Sequence, residues 1–484
     1  MWTNPFACHR SASVGSRREF LARAGFGVGS LALADLFQRD ALSASVATAS
    51  NPLAEKPPHF PAKAKRVIFF FMQGGPSQVD TFDPKPVLNR LDGQPVPASF
   101  LGSDNSLAQI KVNESKLMGT RREFKRYGQS GLEISDLFAN LGQHADDLAV
   151  IRSCYHESFI HGPAISMIHT GSLRLGNPSM GAWVLYGLGS ETENLPAYVV
   201  MSDSFLRNGK SVIGSGFLPA IFQGTYVSTE GMPFENLDPP AEVAGDRQRT
   251  ILDQLRRWDE RHLSERPDDT GLAARIANYE LAFRMQMAAP ELVDLAKEPA
   301  PVRKLYGLDD EPSSKFGRIC LLARRMVERG VRFVHIYNTD WDGHAECDRN
   351  HRENARRADV PMAGLLADLK QRGLLESTVV VCAGEFGRTP MMQGKEGRDH
   401  NPFGFSIWMA GGGIKGGKAI GATDEIGYRA VDERLHVHDI HATMLELLGL
   451  DHKALHVVVS GLEKRLTGVA AEGENSVAKR LAAG

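Results

Sequence analysis

Short apolar runs of four to seven residues alternate along the chain with longer segments in which apolar residues recur at helical spacing. The runs predict strands at Val67–Met72, Leu148–Ile151, Leu195–Met201, Arg332–Tyr337, Val379–Ala383 and Phe405–Ala410. The helical spacing predicts helices at Ile134–His144, Ile165–His169, Pro361–Arg372 and His441–Leu448, and across residues 245–330. Because the strands are apolar throughout, they need cover on both faces. The sequence therefore predicts an α/β fold with a mostly parallel sheet between helices.

The first 49 residues have the pattern of an export signal. Ser16–Leu21 reads S-R-R-E-F-L, a twin-arginine box, and Ala47–Ala49 is a small-x-small cleavage site. A transmembrane helix is the alternative, but it needs about twenty apolar residues. Arg23, Asp35 and Arg39 interrupt the apolar stretch here. We therefore predict a twin-arginine signal peptide and a periplasmic or extracellular protein without an integral membrane span.

The charge balance argues against two classes of partner. The chain has 56 Lys and Arg residues against 58 Asp and Glu residues, a formal net charge of −2. This balance gives no electrostatic reason to expect nucleic acid or an anionic membrane surface as a partner. With 42% hydrophobic and 24% charged residues, the composition is that of a globular protein.

Polar residues gather beside three of the predicted strands. Asp340 and His344 follow the fourth strand, Glu385 and Arg388 follow the fifth, and His400 precedes the sixth. The carboxyl ends of parallel strands meet at one edge of a sheet, where ligands bind. Carboxylates and imidazoles are ligands for Zn²⁺ or Mn²⁺, and an arginine can clamp an anion through two N–H groups. The alternatives are a capped helix start, a surface ion pair and a satisfied loop histidine.

The order of these motifs resembles the alkaline phosphatase and sulfatase superfamily. The residues that carry this resemblance are Ile168–Gly171 (I-H-T-G), Asp340–His344 (D-W-D-G-H) and His438–Gly449 (H-D-I-H-A-T-M-L-E-L-L-G). The resemblance implies an alkaline-phosphatase-like three-layer sandwich with a mostly parallel central sheet. We expect this domain to span residues 65–455, with a helical insertion at about 203–310. Residues 50–64 would be a lead-in linker, and residues 456–484 a tail.

A closer match lies inside that superfamily. The twin-arginine signal occurs together with Met72–Pro86 (M-Q-G-G-P-S-Q-V-D-T-F-D-P-K-P), Gly181–Gly189 (G-A-W-V-L-Y-G-L-G) and Gly384–Pro390 (G-E-F-G-R-T-P). This combination is similar to an exported bacterial family, frequent in planctomycetes, that is labelled domain of unknown function 1501. The similarity covers essentially the whole chain.

Several positions depart from the superfamily pattern. His161 stands where the superfamily has Ser, Thr or Cys as nucleophile. Pro163 of the sulfatase motif is kept, but its modifiable residue and its arginine are missing, which argues against a formylglycine mechanism. Gln73 stands where the first strand would end in the aspartate that holds a second metal ion. Glu385, with Asp80 as a further candidate, would have to rebuild that second site.

The resemblance implies an exported metal-dependent hydrolase of a phosphate or sulfate ester, with a small-molecule or glycan substrate. Asp340, His344 and His400 match its surviving metal site, and Glu385 is a further ligand candidate. We expect one divalent ion, Zn²⁺ or Mn²⁺, rather than two.

Two more site residues have implied roles. His161 would act as general acid/base, or as a nucleophile, and Arg388 would hold the anion. Asp342 is a candidate to pair with His161 or to bind a second ion. Two alternatives stay open: a non-catalytic ligand-binding protein on a degenerate phosphatase/sulfatase scaffold, and a partner-binding module that uses the helical insertion. The oligomeric state also stays open.

Overall fold

The structure is a computed structural model that describes residues 51–100, 115–229, 241–243, 245–266, 269–468 and 477–482 of the 484-residue chain. The predicted twin-arginine signal lies outside the described residues. The chain divides into two units, Met1–Pro52 and Leu53–Gly484, and all the elements below belong to the second. Within the described ranges, no helix has the length and apolar character that crossing a membrane requires.

Nine strands of the described residues form a central sheet, and shorter strands form hairpins beside it. In chain order the strands are β1 (Arg66–Gln73), β2 (Phe124–Tyr127), β3 (Leu132–Ser135), β4 (Leu148–Tyr155), β5 (Tyr198–Ser202), β6 (Thr225–Tyr226), β7 (Phe333–Thr339), β8 (Thr378–Ala383), β9 (Gly387–Gln393), β10 (Gly397–Asn401), β11 (Phe405–Gly411), β12 (Lys418–Ile420), β13 (Ala422–Thr423), β14 (Ala430–Asp432), β15 (Leu435–His436), β16 (Val457–Val459) and β17 (Leu462–Lys464).

The central sheet is parallel except at one strand. Its order is β12-β4-β11-β8-β1-β7-β5-β6, with β15 beside β4. β1 lies in the middle and pairs in parallel with β7 on one side and β8 on the other. β11 alone among these nine described strands runs antiparallel to its neighbours, β4 and β8. The predicted α/β fold with a mostly parallel sheet is therefore confirmed.

Helices cover both faces of this sheet. They are α1 (Gln78–Thr81), α2 (Pro86–Arg90), α3 (His161–Thr170), α4 (Met180–Leu188), α5 (Asp246–Glu265), α6 (Thr270–Val293), α7 (Ala300–Leu305), α8 (Ser314–Glu328), α9 (Cys347–Gln371), α10 (Val437–Leu447) and α11 (Ala478–Ala482). Side chains of β1 alternate between two cores, as the pleat of a strand requires. Phe69 and Phe71 belong to the core with α3, α4 and α10, whereas Phe70 belongs to the core with α8 and α9. These three layers hold the strand ends in place.

One predicted helix is wrong. Instead of a helix over Ile134–His144, the chain forms the end of β3 and then two 3-10 helices, Asp136–Phe138 and Leu141–Asp147. The buried carboxylate of Asp359 accepts the backbone N–H groups of Asn140 and Leu141 at 2.9 and 2.8 Å. An α-helix would need those N–H groups for its own carbonyls. A tertiary contact therefore overrides the helical spacing of the apolar residues.

Candidate metal centre

Loops from distant parts of the chain meet at the carboxyl edge of the central sheet. The pairing of β1 with β7 continues to Gln73 beside Thr339, and β8 ends at Ala383 beside Phe71. The loops after these three strands therefore start at nearly the same level. Because β11 runs in the opposite direction, the segment before it, β10, reaches the same edge. This reversal is what brings a residue that precedes a strand among residues that follow strands.

Four side chains at this edge converge on one point. They are His161, Asp342, His344 and His400, and one ligand atom of each lies within 4.8 Å of the others. His161 is the first residue of α3, Asp342 and His344 lie in the loop after β7, and His400 lies in β10. All four are half-buried. We call these four residues the histidine–aspartate cluster.

The three histidines of the cluster present the same ring nitrogen to its centre. Nδ1 of His161 hydrogen-bonds Oε1 of Glu385 at 2.6 Å, Nδ1 of His344 bonds Oε1 of Gln393 at 2.6 Å, and Nδ1 of His400 bonds the carbonyl oxygen of Phe159 at 2.7 Å. Since a carbonyl or carboxylate oxygen can only accept, each Nδ1 carries the proton. In the neutral form of each ring, Nε2 is then left with a lone pair.

These Nε2 atoms all lie against the carboxylate of Asp342. The separations are 3.2 Å from His161, 3.1 Å from His344 and 3.6 Å from His400. Nε2 of His161 and Nε2 of His400 are buried and make no well-formed hydrogen bond. Buried polar atoms without a partner are rare in folded proteins. Converging lone pairs whose opposite nitrogens are held by acceptors form the arrangement in which histidine binds metal ions. The residues present therefore fit a divalent cation.

The carboxylate of Asp342 stays ionised in this setting. Burial opposes its charge, but the three cluster histidines, which donate to it in their protonated forms, and the positive charge of Arg388 outweigh burial and hold the pKa of Asp342 well below its usual range. The negative charge needed to balance a cation is therefore present at any pH near neutrality.

The cluster histidines differ in how easily they take up a proton. Burial works against charging His161, yet its bonds to Asp342 and Glu385 prevail and raise its pKa. The bond to Asp342 raises the pKa of His344 as well. Burial, with repulsion from Arg388 and His161, lowers the pKa of His400. Protons therefore compete with a cation at His161 and His344 more than at His400.

The structure places Asp340, predicted as a ligand, outside the histidine–aspartate cluster. Asp340 is exposed, and its carbonyl oxygen accepts hydrogen bonds from Asn350 and Asn354. Next to it, Trp341 is fully buried and donates from Nε1 to Oδ1 of Asn338 at 2.7 Å. Since the Trp341 ring occupies the interior, the carboxylate that reaches the cluster is that of Asp342, two residues further on.

A close backbone approach holds this loop in place. Gly74 has φ of 114°, and a Cβ atom there would lie 2.6 Å from the backbone nitrogen of Asp342 and 2.7 Å from that of Trp341. Only glycine fits such a contact without displacement of the backbone. The glycine pair after β1 thus lets the first strand and the loop after β7 touch.

Arg388, predicted to hold the substrate anion, lies in the protein interior. Arg388 is fully buried, and its guanidinium donates to Oδ1 of Asp342 at 2.7 Å and to the carbonyl oxygens of Gly75, Arg398 and Gly74, the first two at 2.9 and 3.2 Å. Four of its five N–H groups are therefore occupied by the protein itself. Arg388 positions Asp342 and does not face a ligand.

The proposed second metal site is not assembled from the residues named for it. Glu385 is fully buried, and both its oxygens accept the backbone N–H of Gly74 at 3.0 Å while Oε1 also bonds His161. It supports a cluster residue rather than joining the cluster. Asp80 pairs with Arg398 at 2.8 Å in the interior. The structure thus places Glu385 and Asp80, both named as ligand candidates, outside the histidine–aspartate cluster.

One cationic residue beside the cluster was missed by the sequence analysis. Nη2 of Arg207 lies 3.1 Å from Oδ2 of Asp342, and the Arg207 side chain is 26% exposed. Arg207 follows β5 in a segment that the sequence analysis described only as a helical insertion. No motif marks the residue there. The sole available signal was that β5, like β1 and β7, ends at this edge.

Residues 64–477 match the model of the family described as "Protein of unknown function (DUF1501)". Among curated protein sequences, none matches this chain.

Three solved structures are among those to which this chain is similar. A protein in the alkaline phosphatase superfamily from Vibrio parahaemolyticus is 11% identical, covers 83% of this chain and 70% of its own, and has a TM-score of 0.35. A sulfatase from Pseudoalteromonas sp. is 12% identical, with coverage of 80% and 68% and a TM-score of 0.34. A lipoteichoic acid synthase from Listeria monocytogenes is 10% identical, with coverage of 86% and 78% and a TM-score of 0.33.

Proposed function

Since the chain belongs to this DUF1501 family, whose description states no activity, we propose its function from the centre itself: it is a metal-dependent hydrolase of anionic phosphate or sulfate esters. The observation that carries the proposal is the convergence of three imidazole Nε2 atoms and one carboxylate, each held from behind by a second partner. His161, Asp342, His344 and His400 would hold one divalent ion, Zn²⁺ or Mn²⁺. The substrate would be a small-molecule or glycan ester.

A bound ion of this kind supplies Lewis-acid polarisation of an ester oxygen and lowers the pKa of water. The protein residues hold the ligand side chains in position for the ion. Arg388 and Glu385 hold Asp342 and His161 in position, and Gln393 and the Phe159 carbonyl hold the rings of His344 and His400. Because their supports are buried or half-buried, these side chains need little rearrangement to bind the ion.

This arrangement supports a role for His161 as a ligand rather than as an independent nucleophile. Its Nδ1 is occupied by Glu385 and its Nε2 faces the cluster centre. The expected general acid/base or nucleophilic role would need a nitrogen that neither Glu385 nor a cation holds. We therefore propose direct transfer of the phosphoryl or sulfuryl group to water with release of the alcohol, without a formylglycine or a covalent histidine.

One observation favours the non-catalytic alternative. Four protein side chains can occupy all four coordination positions of a tetrahedral ion, as in structural zinc sites. Catalytic zinc sites instead keep one position open for water or substrate. A five-coordinate ion would still leave room for substrate. The alternative is thus a protein that binds a ligand or partner on a degenerate phosphatase/sulfatase scaffold.

Metal content measured by mass spectrometry tests the proposal, together with hydrolysis of p-nitrophenyl phosphate, bis(p-nitrophenyl) phosphate and p-nitrophenyl sulfate. We expect one ion per chain and turnover of at least one ester, with both lost in His344→Ala and both kept in His452→Ala, which lies outside the cluster. An ion without turnover of any ester would favour the alternative. A folded protein that takes up no ion would contradict the metal centre and favour the non-catalytic scaffold.

We also propose that the chain is exported by the twin-arginine route to the periplasm or beyond. The support is the S-R-R-E-F-L box at Ser16–Leu21 with the site at Ala47–Ala49. Cell fractionation should find the wild type outside the cytoplasm, and the double variant Arg17→Lys, Arg18→Lys retained inside it. Equal distribution of the two proteins would rule this route out.

A further inference from the structure

A short loop after β5, residues 203–208, is anchored from three directions beside the cluster. Asp203 accepts hydrogen bonds from the backbone N–H and the hydroxyl of Thr339 at 3.0 and 2.9 Å. The buried amide of Gln73 bonds the Phe205 carbonyl at 3.3 Å and the Arg207 N–H at 2.8 Å. Asn208 donates to the Gly162 carbonyl, at the start of α3, at 2.6 Å. We call this segment the 203–208 loop.

The guanidinium of Arg207 is the exposed cation of this loop. Asp342 is the only polar partner found for it among the described residues, through Nη2 alone. With the side chain 26% exposed, the other N–H groups remain open to a ligand. Arg388 on the opposite oxygen of Asp342 is fully buried, so it has no such capacity. A planar fork of N–H groups next to a cation position suits a phosphate or sulfate group.

Two large apolar side chains stand exposed on the two segments that supply His161 and Arg207. Ile160 is 56% exposed and directly precedes His161, and Phe205 is 61% exposed and lies two residues before Arg207. A single exposed apolar residue needs no explanation. Here, however, the backbone of each is held by a hydrogen bond to a buried side chain. The Ile160 N–H bonds Ser158, and the Phe205 carbonyl bonds Gln73.

We propose that the 203–208 loop and Ile160 select the substrate of this centre. Arg207 binds the charged group of an anionic monoester, while Phe205 and Ile160 contact an apolar face of its alcohol part. Such a face is presented by an aryl group or by one side of a hexose ring. The inference rests on the proposed function only in that the ligand is an anionic ester.

Isothermal calorimetry on the full metal-loaded protein tests it, with inorganic phosphate, methyl phosphate, phenyl phosphate and glucose 6-phosphate as probes. Arg207→Gln is expected to weaken binding of all four about tenfold or more, and Arg207→Lys to restore part of the loss. Phe205→Ala should weaken phenyl phosphate or glucose 6-phosphate about tenfold and leave inorganic phosphate unchanged. Met287→Ala, which removes an 86% exposed side chain on α6, serves as control and should change nothing.

The comparison of phenyl phosphate with glucose 6-phosphate tells an aryl face from a sugar face. Loss of affinity for either probe in Phe205→Ala supports the inference. Unchanged phosphate affinity in Arg207→Gln would overturn it, and so would a wild type that binds none of the probes. Metal content of the same samples separates the two proposals. One ion per chain with an unaffected Arg207→Gln overturns only the role of the loop. A metal-free wild type whose phosphate binding needs Arg207 overturns only the metal centre.

Discussion

Asp342→Asn is expected to lower the affinity for a divalent ion by more than about a hundredfold, while Asp340→Asn leaves that affinity unchanged. The two residues lie in one loop, and only Trp341 separates them. Asp342 faces three imidazole Nε2 atoms within 3.6 Å, whereas Asp340 is exposed. Asparagine keeps the size of the side chain but removes the charge that balances a cation. The pair therefore separates electrostatic loss at the cluster from disturbance of the loop.

Metal content after dialysis against a graded series of chelator concentrations measures the effect. Thermal unfolding of the metal-free proteins checks that both variants fold. A loss of metal in Asp340→Asn with retention in Asp342→Asn would restore the ligand set expected from the sequence. Equal retention in both would show that the aspartate is not a ligand at all.

Between pH 6.5 and 4, the free energy of unfolding is expected to fall steeply because several histidines are buried in neutral form. Burial is the main cause that lowers the pKa of His156, His169 and His351 to about 4, and that of His441 to about 3. In the unfolded chain each of these residues returns to about 6.5. As the pH falls below 6.5, the unfolded chain takes up protons that the folded protein refuses, so acid favours unfolding.

Hydrogen bonds explain why three of these rings cannot simply accept the proton. Nδ1 of His156 accepts the Ser158 N–H at 3.1 Å, Nε2 of His169 faces the Tyr337 hydroxyl at 2.7 Å, and Nε2 of His351 accepts the Ser77 N–H at 2.8 Å. The opposite nitrogen of His169 donates to the Ile165 carbonyl at 2.7 Å. A second proton on the ring of His156 or His351 would place an N–H group against the backbone N–H group that the ring nitrogen now accepts. Each ring is thus held as one neutral tautomer.

Each of these histidines should lower the free energy of unfolding by about 2 kcal/mol by pH 5, since one pH unit below the unfolded-state pKa corresponds to about 1.4 kcal/mol. Urea unfolding of the metal-free protein at pH 7, 6 and 5, with chelator in every buffer, measures the slope. His441→Gln is the matched variant, because its amide can still donate to the Ile168 carbonyl that Nε2 of His441 contacts at 2.8 Å. It should lose less stability between pH 7 and 5 than the wild type. Identical slopes would contradict the assignment.

The sequence was sufficient for the fold because its strands are uniformly apolar and its motifs follow them in order. It failed at Ile134–His144, where Asp359 takes over backbone N–H groups from far along the chain. A local pattern holds no information about such a contact. Strand order placed His344 at this edge, since parallel strands deliver their ends to one edge. The superfamily resemblance placed His161, and His400 reaches the edge because β11 runs antiparallel.

The roles of individual side chains were harder to predict because they depend on direction and burial. Asp340 and Asp342 are equivalent in a spacing argument, and only the buried ring of Trp341 tells them apart. Arg388 looked like an anion clamp, yet main-chain carbonyls occupy it. No pattern in the sequence distinguishes an arginine held by the interior from one that faces solvent, such as Arg207.

The position of β1 in the middle of the sheet has a consequence for biosynthesis. Val67 pairs with Phe333 and with Val379, so the second and third strands of the central trio are made more than 250 residues after the first. A nascent chain that stops before residue 378 has β1 with one edge uncovered and lacks His400 altogether. Such non-local pairing is slow to form. The ribosome must therefore release nearly the whole protein before the centre can exist, and truncated products should be removed by proteolysis rather than persist as partly active fragments.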